Sequence, residues 1–186
     1  MQERGAVAPL KDRVPGGLAL AVGIAVVVVA ADQATTSWVE ADLRHPVHLL
    51  GPFGLAVRYN SGSAFSLFTG DGPLLVAVSV VVAGALVVAA WRSRSRVAAV
   101  GYGLVLGGAV GNVADRLFRG HHGDVVDFIT LSHWPTFNVA DAAITIGLVL
   151  LVLHFWRRPS PGTPDVAPTG ARTQADAAPS HDAEEP

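Results

Sequence analysis

Four stretches of the chain, residues 14–31, 72–91, 97–114 and 142–156, are apolar almost without interruption; the first three carry no charge and the fourth holds only His154. Each approaches the roughly 20 apolar residues that a helix needs to cross about 30 Å of hydrocarbon, so the pattern predicts four transmembrane helices. Arg4, Lys11 and Arg13 precede the first as they would a secretory signal peptide, but Asp32-Gln33 at its far end is no small-residue cleavage site, and the helix is expected to be retained. Between the first two stretches, HPVHLLGPFGLAVRYN has β-branched residues, Gly-Pro punctuation and no helical period, which predicts a small hairpin on the membrane surface. Beyond Pro159 the chain is rich in Pro, Ala and acid and cannot bury enough apolar surface to offset its ordering entropy. The expected organisation is an N-terminal cytoplasmic segment (1–13), a transmembrane domain (14–156) and a disordered cytoplasmic tail (157–186). The expected fold is an all-α membrane protein of four transmembrane helices with a small extracytoplasmic β-rich loop region.

Cationic residues set the orientation. Arg4, Lys11 and Arg13 lie before helix one, Arg92, Arg94 and Arg96 fill the link between helices two and three, and Arg157-Arg158 follow helix four. All three clusters are expected on the cytoplasmic side, which puts the loops at about 37–71 and 118–137 on the outer face. Composition agrees: 51% hydrophobic and 15% charged residues are too apolar a mixture for an ordinary soluble domain. A formal net charge of -2 supplies no basic field to recruit nucleic acid, and the absence of cysteine excludes disulfides, thiolate metal sites and a cysteine nucleophile. Of the seven histidines, His121-His122 with Asp124 suggest a metal site. Adjacent loop histidines point apart, no HExxH occurs, and His45, His48 and His133 are scattered, so these read as solvated or interfacial and no metal or cofactor is expected.

The polar residues that interrupt this pattern gather on one side. In helix three, Gly103, Gly107 and Gly111 form a smooth stripe that lets a neighbouring helix approach. At its outer end Asn112, Asp115 and Arg116, at i, i+3 and i+4, point roughly the same way. An interfacial salt bridge at a helix end accounts for these three equally well. Helix one ends in Asp32-Gln33-Ala34-Thr35-Thr36, the first outer loop carries Tyr59-Asn60-Ser61-Gly62, HHGDVVDFI brings Asp124 and Asp127, and FNVADAAI brings Asn138 and Asp141. Ionisable groups at membrane depth are costly, so four segments delivering them to one leaflet argue for a shared site. A proton- or ion-coupled transporter would place acidic residues near mid-helix, often with internal repeats; here they sit at helix ends and no repeat is seen. A membrane scaffold would explain the glycine stripe but not the carboxylates.

These blocks resemble those of the lipoprotein signal peptidases, or signal peptidase II, membrane-embedded aspartic peptidases of bacteria. DQATT is similar to the family's first block, YNSGSAFS to its second, GGAVGNVADR to its third, and GDVVDFI with FNVADAAI to its last two, in the family's order from helix one to helix four. The resemblance implies an enzyme of the bacterial cytoplasmic membrane; prolipoprotein substrates and membrane lipids are its expected partners, and the chain is expected to be a monomer. It would remove the signal peptide of diacylglyceryl-modified prolipoproteins on the N-terminal side of the lipidated cysteine. The family's catalytic aspartates fall on Asp127 and Asp141; Asp124 precedes the two valines and reads as a loop residue. Asn112, Asp115 and Arg116 match the supporting polar cluster, with Arg116 a candidate for holding substrate carbonyls. Asp32, Asn60, Gly62, Asn138 and Ala140 match positions that line or brace the site. Two features depart from the pattern: Thr36 stands where the first block usually ends in lysine, and LFRGHHGD is longer than expected and would reshape the outer lip.

Two nearby carboxyls in a water-poor cleft do not both ionise cheaply, so one keeps a proton and the pair titrates as a unit. The ionised member can take a proton from water while the protonated member polarises the scissile carbonyl. The dipole of helix four favours an anion at Asp141, which nominates it as the base. Asn138, one turn earlier, is placed to orient it.

Overall fold

The computed structural model describes residues 16–62 and 72–156. The segments 1–13 and 157–186 and residues 63–66 of the second motif block lie outside the described residues. Four helices, α1 (Gly16–Asp42), α2 (Gly72–Arg92), α3 (Arg96–Phe118) and α4 (Val139–Trp156), are long and apolar enough to cross a membrane. They follow the four apolar stretches, with one large difference. α1 was expected to end near residue 31 but continues to Asp42, so Asp32 and Thr36 lie inside the helix. At 1.5 Å per residue its 27 residues span about 40 Å, more than the hydrocarbon thickness. The polar outer third therefore remains helical beyond the lipid-soluble part, and the helix stops just before His45-Pro46, where proline disfavours helical backbone at the preceding residue.

Four short strands cover the same end of the bundle: β1 (Val47–His48), β2 (Phe53–Asn60), β3 (Val125–Leu131) and β4 (Trp134–Phe137) form an antiparallel sheet in chain order. The expected hairpin is present as β1 and β2. VVDFI, read from sequence only as part of a loop, is a strand; β2 pairs with it so that Arg58 lies opposite Asp127 and Asn60 opposite Val125. β3 packs on α1 and α3, and Val125, Val126, Asp127 and Phe128 are all buried. A strand covered on both faces has no alternation of apolar and polar positions to reveal it.

α3 is the centre of the bundle, packed on α1, α2 and α4. Ser95 caps its start, its Oγ accepting from the Ala98 N–H at 3.3 Å. Gly120, at φ +75°, turns the chain out of it in the left-handed conformation that ends many helices. The glycine stripe faces α1. A Cβ at Gly103 would lie 2.6 Å from Ala21 O, at Gly107 2.7 Å from Val28 Cβ, and at Gly111 2.7 Å from Asp32 Oδ2. On the flank toward α4, a Cβ at Gly108 would overlap the Ala140 carbonyl oxygen. α2 is the least enclosed helix, with Val80, Val81 and Val88 exposed as a lipid-facing helix requires.

Replacing Gly107 with Val is expected to force α1 from α3 at a cost of about 1–3 kcal/mol, lowering the thermal midpoint in detergent by several degrees. Gly84→Ala on α2, where a Cβ meets nothing within 4 Å, is expected to leave the midpoint unchanged or raise it. Equal midpoints for the Gly107 variant and wild type would contradict the packing described.

Candidate active site

The N-terminus of α4 organises the site. Asn138 is its cap: the side-chain Oδ1 accepts from the Asp141 N–H at 2.9 Å, while Asp141 Oδ2 accepts from the Asn138 N–H at 3.4 Å. This reciprocal arrangement satisfies two otherwise orphaned donors, as a capping box does. A third, the N–H of Ala140, donates to Asp32 Oδ1 of α1 at 2.9 Å. Asp32 is fully buried, and its other oxygen accepts from Gln33 Nε2 at 3.1 Å. Asp141 is thus both part of the cap and, through Oδ1, an acceptor for Asn112 Nδ2 of α3 at 2.9 Å. Asn138 Nδ2 in turn donates to Asn112 Oδ1 at 3.0 Å and to the Val126 carbonyl at 3.4 Å, tying α4 to α3 and to the residue before Asp127.

Asp127 is brought in by the sheet. Asn60, diagonal to it across the β2–β3 pair, donates from Nδ2 to Asp127 Oδ2 at 2.9 Å. Asn60 Oδ1 accepts from the Gly62 N–H at 3.0 Å, and the Gly62 carbonyl accepts from Arg116 Nη2 at 3.1 Å. Arg116 also donates to the Asn112 carbonyl at 3.3 Å and lies within electrostatic reach of both Asp141 and Asp127. Among the described residues, Asp127 Oδ1 and Arg116 Nε are buried without a hydrogen-bond partner. Asp127, 2% exposed, has its pKa pushed up to about 7. Burial away from water is the main cause, and the Asp141 carboxylate adds to it; the Asn60 hydrogen bond and the Arg116 charge oppose the rise.

The structure brings together Asp127, Asp141, Asn60, Gly62, Asn112, Arg116 and Asn138, with Asp32 and Ala140 bracing α4 from behind. Asp115 makes its hydrogen bonds toward α1 and β3 and not with Asn112 or Arg116, while staying within electrostatic reach of Asp127 and Arg116. At about 100° per residue Asp115 stands well off the line through Asn112 and Arg116, and it faces α1 and β3. Its Oδ2 accepts from the Val126 N–H at 3.2 Å, and its Oδ1 from Gln33 Nε2 at 2.8 Å and Arg119 Nε at 2.6 Å. Arg119 also pairs with Glu40 at 2.7 Å, and His121 Nε2 lies 2.7 Å from the other Glu40 oxygen, its ring tilted against Tyr59. The Arg119 guanidinium is held above its usual range: burial works against it, and the hydrogen bond and charge of Asp115, then Glu40, outweigh burial. Gln33, Glu40, Arg119 and His121 were not nominated from sequence. The available signal was the spacing of Gln33, Ser37 and Glu40 at i, i+4 and i+7, legible only if α1 runs past residue 31. Thr36, in the position of the expected lysine, is fully buried, its hydroxyl without a partner among the described residues, and Asp32 is satisfied by Ala140 and Gln33. Asp124 lies in the turn before β3, and among the described residues no group of three or more His, Asp or Glu is arranged to hold a metal ion.

Solved structures share this helical bundle with a small sheet at one end. Two, both described as bacterial membrane enzymes determined by the in meso method, superpose with TM-scores of 0.67 and 0.68 at 26% and 25% identity. They cover 74% and 76% of this chain and 88% and 95% of their own. The family model described as Signal peptidase (SPase) II matches residues 24–157, and the chain belongs to that family. Relatives named lipoprotein signal peptidase include one from Rhodococcus jostii, 44% identical over 136 residues (70% of this chain, 69% of the relative), and one from Hydrogenovibrio crunogenus, 40% identical over 146 residues (73% and 85%). One from Burkholderia mallei is 40% identical over 151 residues (77% and 91%).

Asp32→Ala removes the acceptor of a buried N–H at the start of α4. It is expected to cost about 1–3 kcal/mol, read as a lower thermal midpoint in detergent, whereas Asp42→Ala at the exposed end of α1 stays within about 0.5 kcal/mol of wild type. Matching losses from the two variants would remove the bracing role given to Asp32.

Proposed function

We propose that the chain is an aspartic endopeptidase in which Asp127 and Asp141 are the catalytic pair. As a signal peptidase II it acts on prolipoproteins; the bond cut is the one N-terminal to the diacylglyceryl-modified cysteine. The observation that carries this reading is the asymmetric holding of the pair. Asp141 is engaged at both oxygens, by Asn112 and by the Asn138 N–H, whereas Asp127 is anchored at Oδ2 by Asn60 and keeps a buried, unpartnered Oδ1.

The roles follow from the two environments. Asp127, with its pKa pushed up to about 7 first by burial, carries the proton. Asp141, in the first turn of α4 and held at both oxygens by Asn112 and the Asn138 N–H, is the base. Water loses a proton to Asp141 as its oxygen bonds to the scissile carbonyl carbon, and Asp127 gives its proton to the carbonyl oxygen, forming a tetrahedral diol. Asp141 then protonates the leaving nitrogen as the C–N bond breaks, while a diol hydroxyl returns its proton to Asp127 and the carbonyl reforms. Neither a metal nor a covalent intermediate enters this sequence. Arg116, on the Gly62 and Asn112 carbonyls, holds the β2 end against α3 and lends positive potential to the developing oxyanion.

The arginine-rich link from Arg92 to Arg96 lies at the opposite end of the bundle, so the positive-inside tendency places the pair at the extracytoplasmic face and both termini in the cytoplasm. The chain acts as a monomer in the bacterial cytoplasmic membrane, with membrane lipids against α2. The scissile bond lies at that boundary because it joins a membrane-spanning signal sequence to a cysteine whose acyl chains stay in the leaflet.

Asp127→Asn and Asp141→Asn are each expected to abolish release of signal peptide from a diacylglyceryl-modified prolipoprotein in detergent while the thermal midpoint stays near wild type; cleavage by either folded variant would exclude the pair. Since raising the pH through about 7 removes the proton from Asp127, kcat/KM is expected to fall on the alkaline side with an apparent pKa near that value. A rate constant flat from pH 6 to 9 would contradict Asp127 as the acid.

A further inference from the structure

One half-buried cluster is built on an arginine that the reaction above does not use. Arg119, the C-cap residue of α3 with a side chain 12% exposed, donates to Asp115 Oδ1 at 2.6 Å, Glu40 Oε2 at 2.7 Å, Gln33 Oε1 at 3.0 Å, the Gln33 carbonyl at 3.1 Å and Ser37 Oγ at 3.3 Å. Its partners on α1 lie at i, i+4 and i+7, one stripe of the polar outer extension of that helix. Asp115 is fully buried, and the oxygen that Arg119 does not touch accepts from the N–H of Val126, the residue before Asp127.

We infer that Arg119 is a positioning residue for cleavage: by pairing with Asp115 it holds that carboxylate on the Val126 N–H and so fixes the direction in which β3 presents Asp127. The inference rests on the reading of Asp127 as catalytic. Arg119 acts through Asp115, because its own donors are spent on α1 and Asp115. A buried carboxylate stripped of its cation must take up a proton or turn toward water. Either change loosens the hydrogen bond on the Val126 N–H, which holds the backbone next to Asp127 together with the Asn138 contact to the Val126 carbonyl and the pairing with β2. Glu40 serves a different purpose: it pairs with the outer side of Arg119 and with His121, whereas Asp115 is the carboxylate that holds the Val126 N–H. Truncating it separates a clamp between helices from the positioning effect.

The test compares Arg119→Gln, Arg119→Lys and Glu40→Gln with wild type on one synthetic diacylglyceryl prolipopeptide, with thermal midpoints and hydrogen–deuterium exchange over the peptide containing Val126. Arg119→Gln is expected to lower kcat about 10- to 100-fold, as small misplacements of reacting groups do, with KM within about twofold and faster exchange at Val126. Arg119→Lys, which keeps the charge but not the planar fork, is expected to fall between. Glu40→Gln is expected to keep kcat within about twofold of wild type. Should Arg119→Gln not fold, the lysine variant decides: an intermediate kcat supports the inference and a wild-type kcat overturns it. A wild-type kcat in folded Arg119→Gln, or equal losses in the Arg119 and Glu40 variants, also overturns it while the peptidase reading stands. No cleavage by folded wild type would remove the reading of Asp127 and this inference with it.

Discussion

The hydrogen bond from the Ala140 N–H to Asp32 Oδ1 joins the middle of α1 to the first turn of α4, the turn whose cap carries Asn138 and Asp141. A buried carboxylate must have partners. Asp32 finds one in a backbone donor that the helix start itself leaves unsatisfied. The bond satisfies both groups, and it places α4 so that Asn138 and Asp141 face α3.

That bond can form only where backbones approach closely. α3 supplies the space: Gly111 leaves room for the Asp32 carboxylate, Gly108 for the Ala140 carbonyl, and Gly103 and Gly107 for α1. In lipid there is no hydrophobic drive to bring helices together, so close packing and buried polar contacts carry the association. The glycines and the carboxylate network are therefore parts of one arrangement.

The two aspartates of the proposed pair are presented by different kinds of structure. Asp141 is fixed by a helix terminus, and Asp127 by a strand that buries it and favours the proton. A single helix could not offer both environments at one place. The antiparallel sheet over the bundle lets a residue that follows α3 by a short turn return beside the start of α4.

By itself the sequence determined four apolar spans, because membrane crossing is set by length and apolarity within one segment. The glycine stripe and the hairpin before Asn60 were legible for the same reason, since spacing and turn residues act locally. Asp127, Asp141, Asn60 and Asn138 stood out because ionisable and amide groups at membrane depth need a cause, and the resemblance of their motif blocks named one. Tertiary structure decided the rest. The strand around Asp127 is covered on both faces and leaves no alternating pattern, and α1 continues past its apolar part because Gln33, Ser37 and Glu40 find Arg119 on another helix. That Asp115 bonds toward α1 and β3 and not with Asn112 or Arg116 likewise depends on what lies against α3 on each side. Partners 67 to 108 residues apart in the chain, such as Asn60 with Asp127 and Asp32 with Ala140, meet only when the helices pack. No local spacing encodes such pairs, because a hydrogen bond depends on where two atoms end up in space.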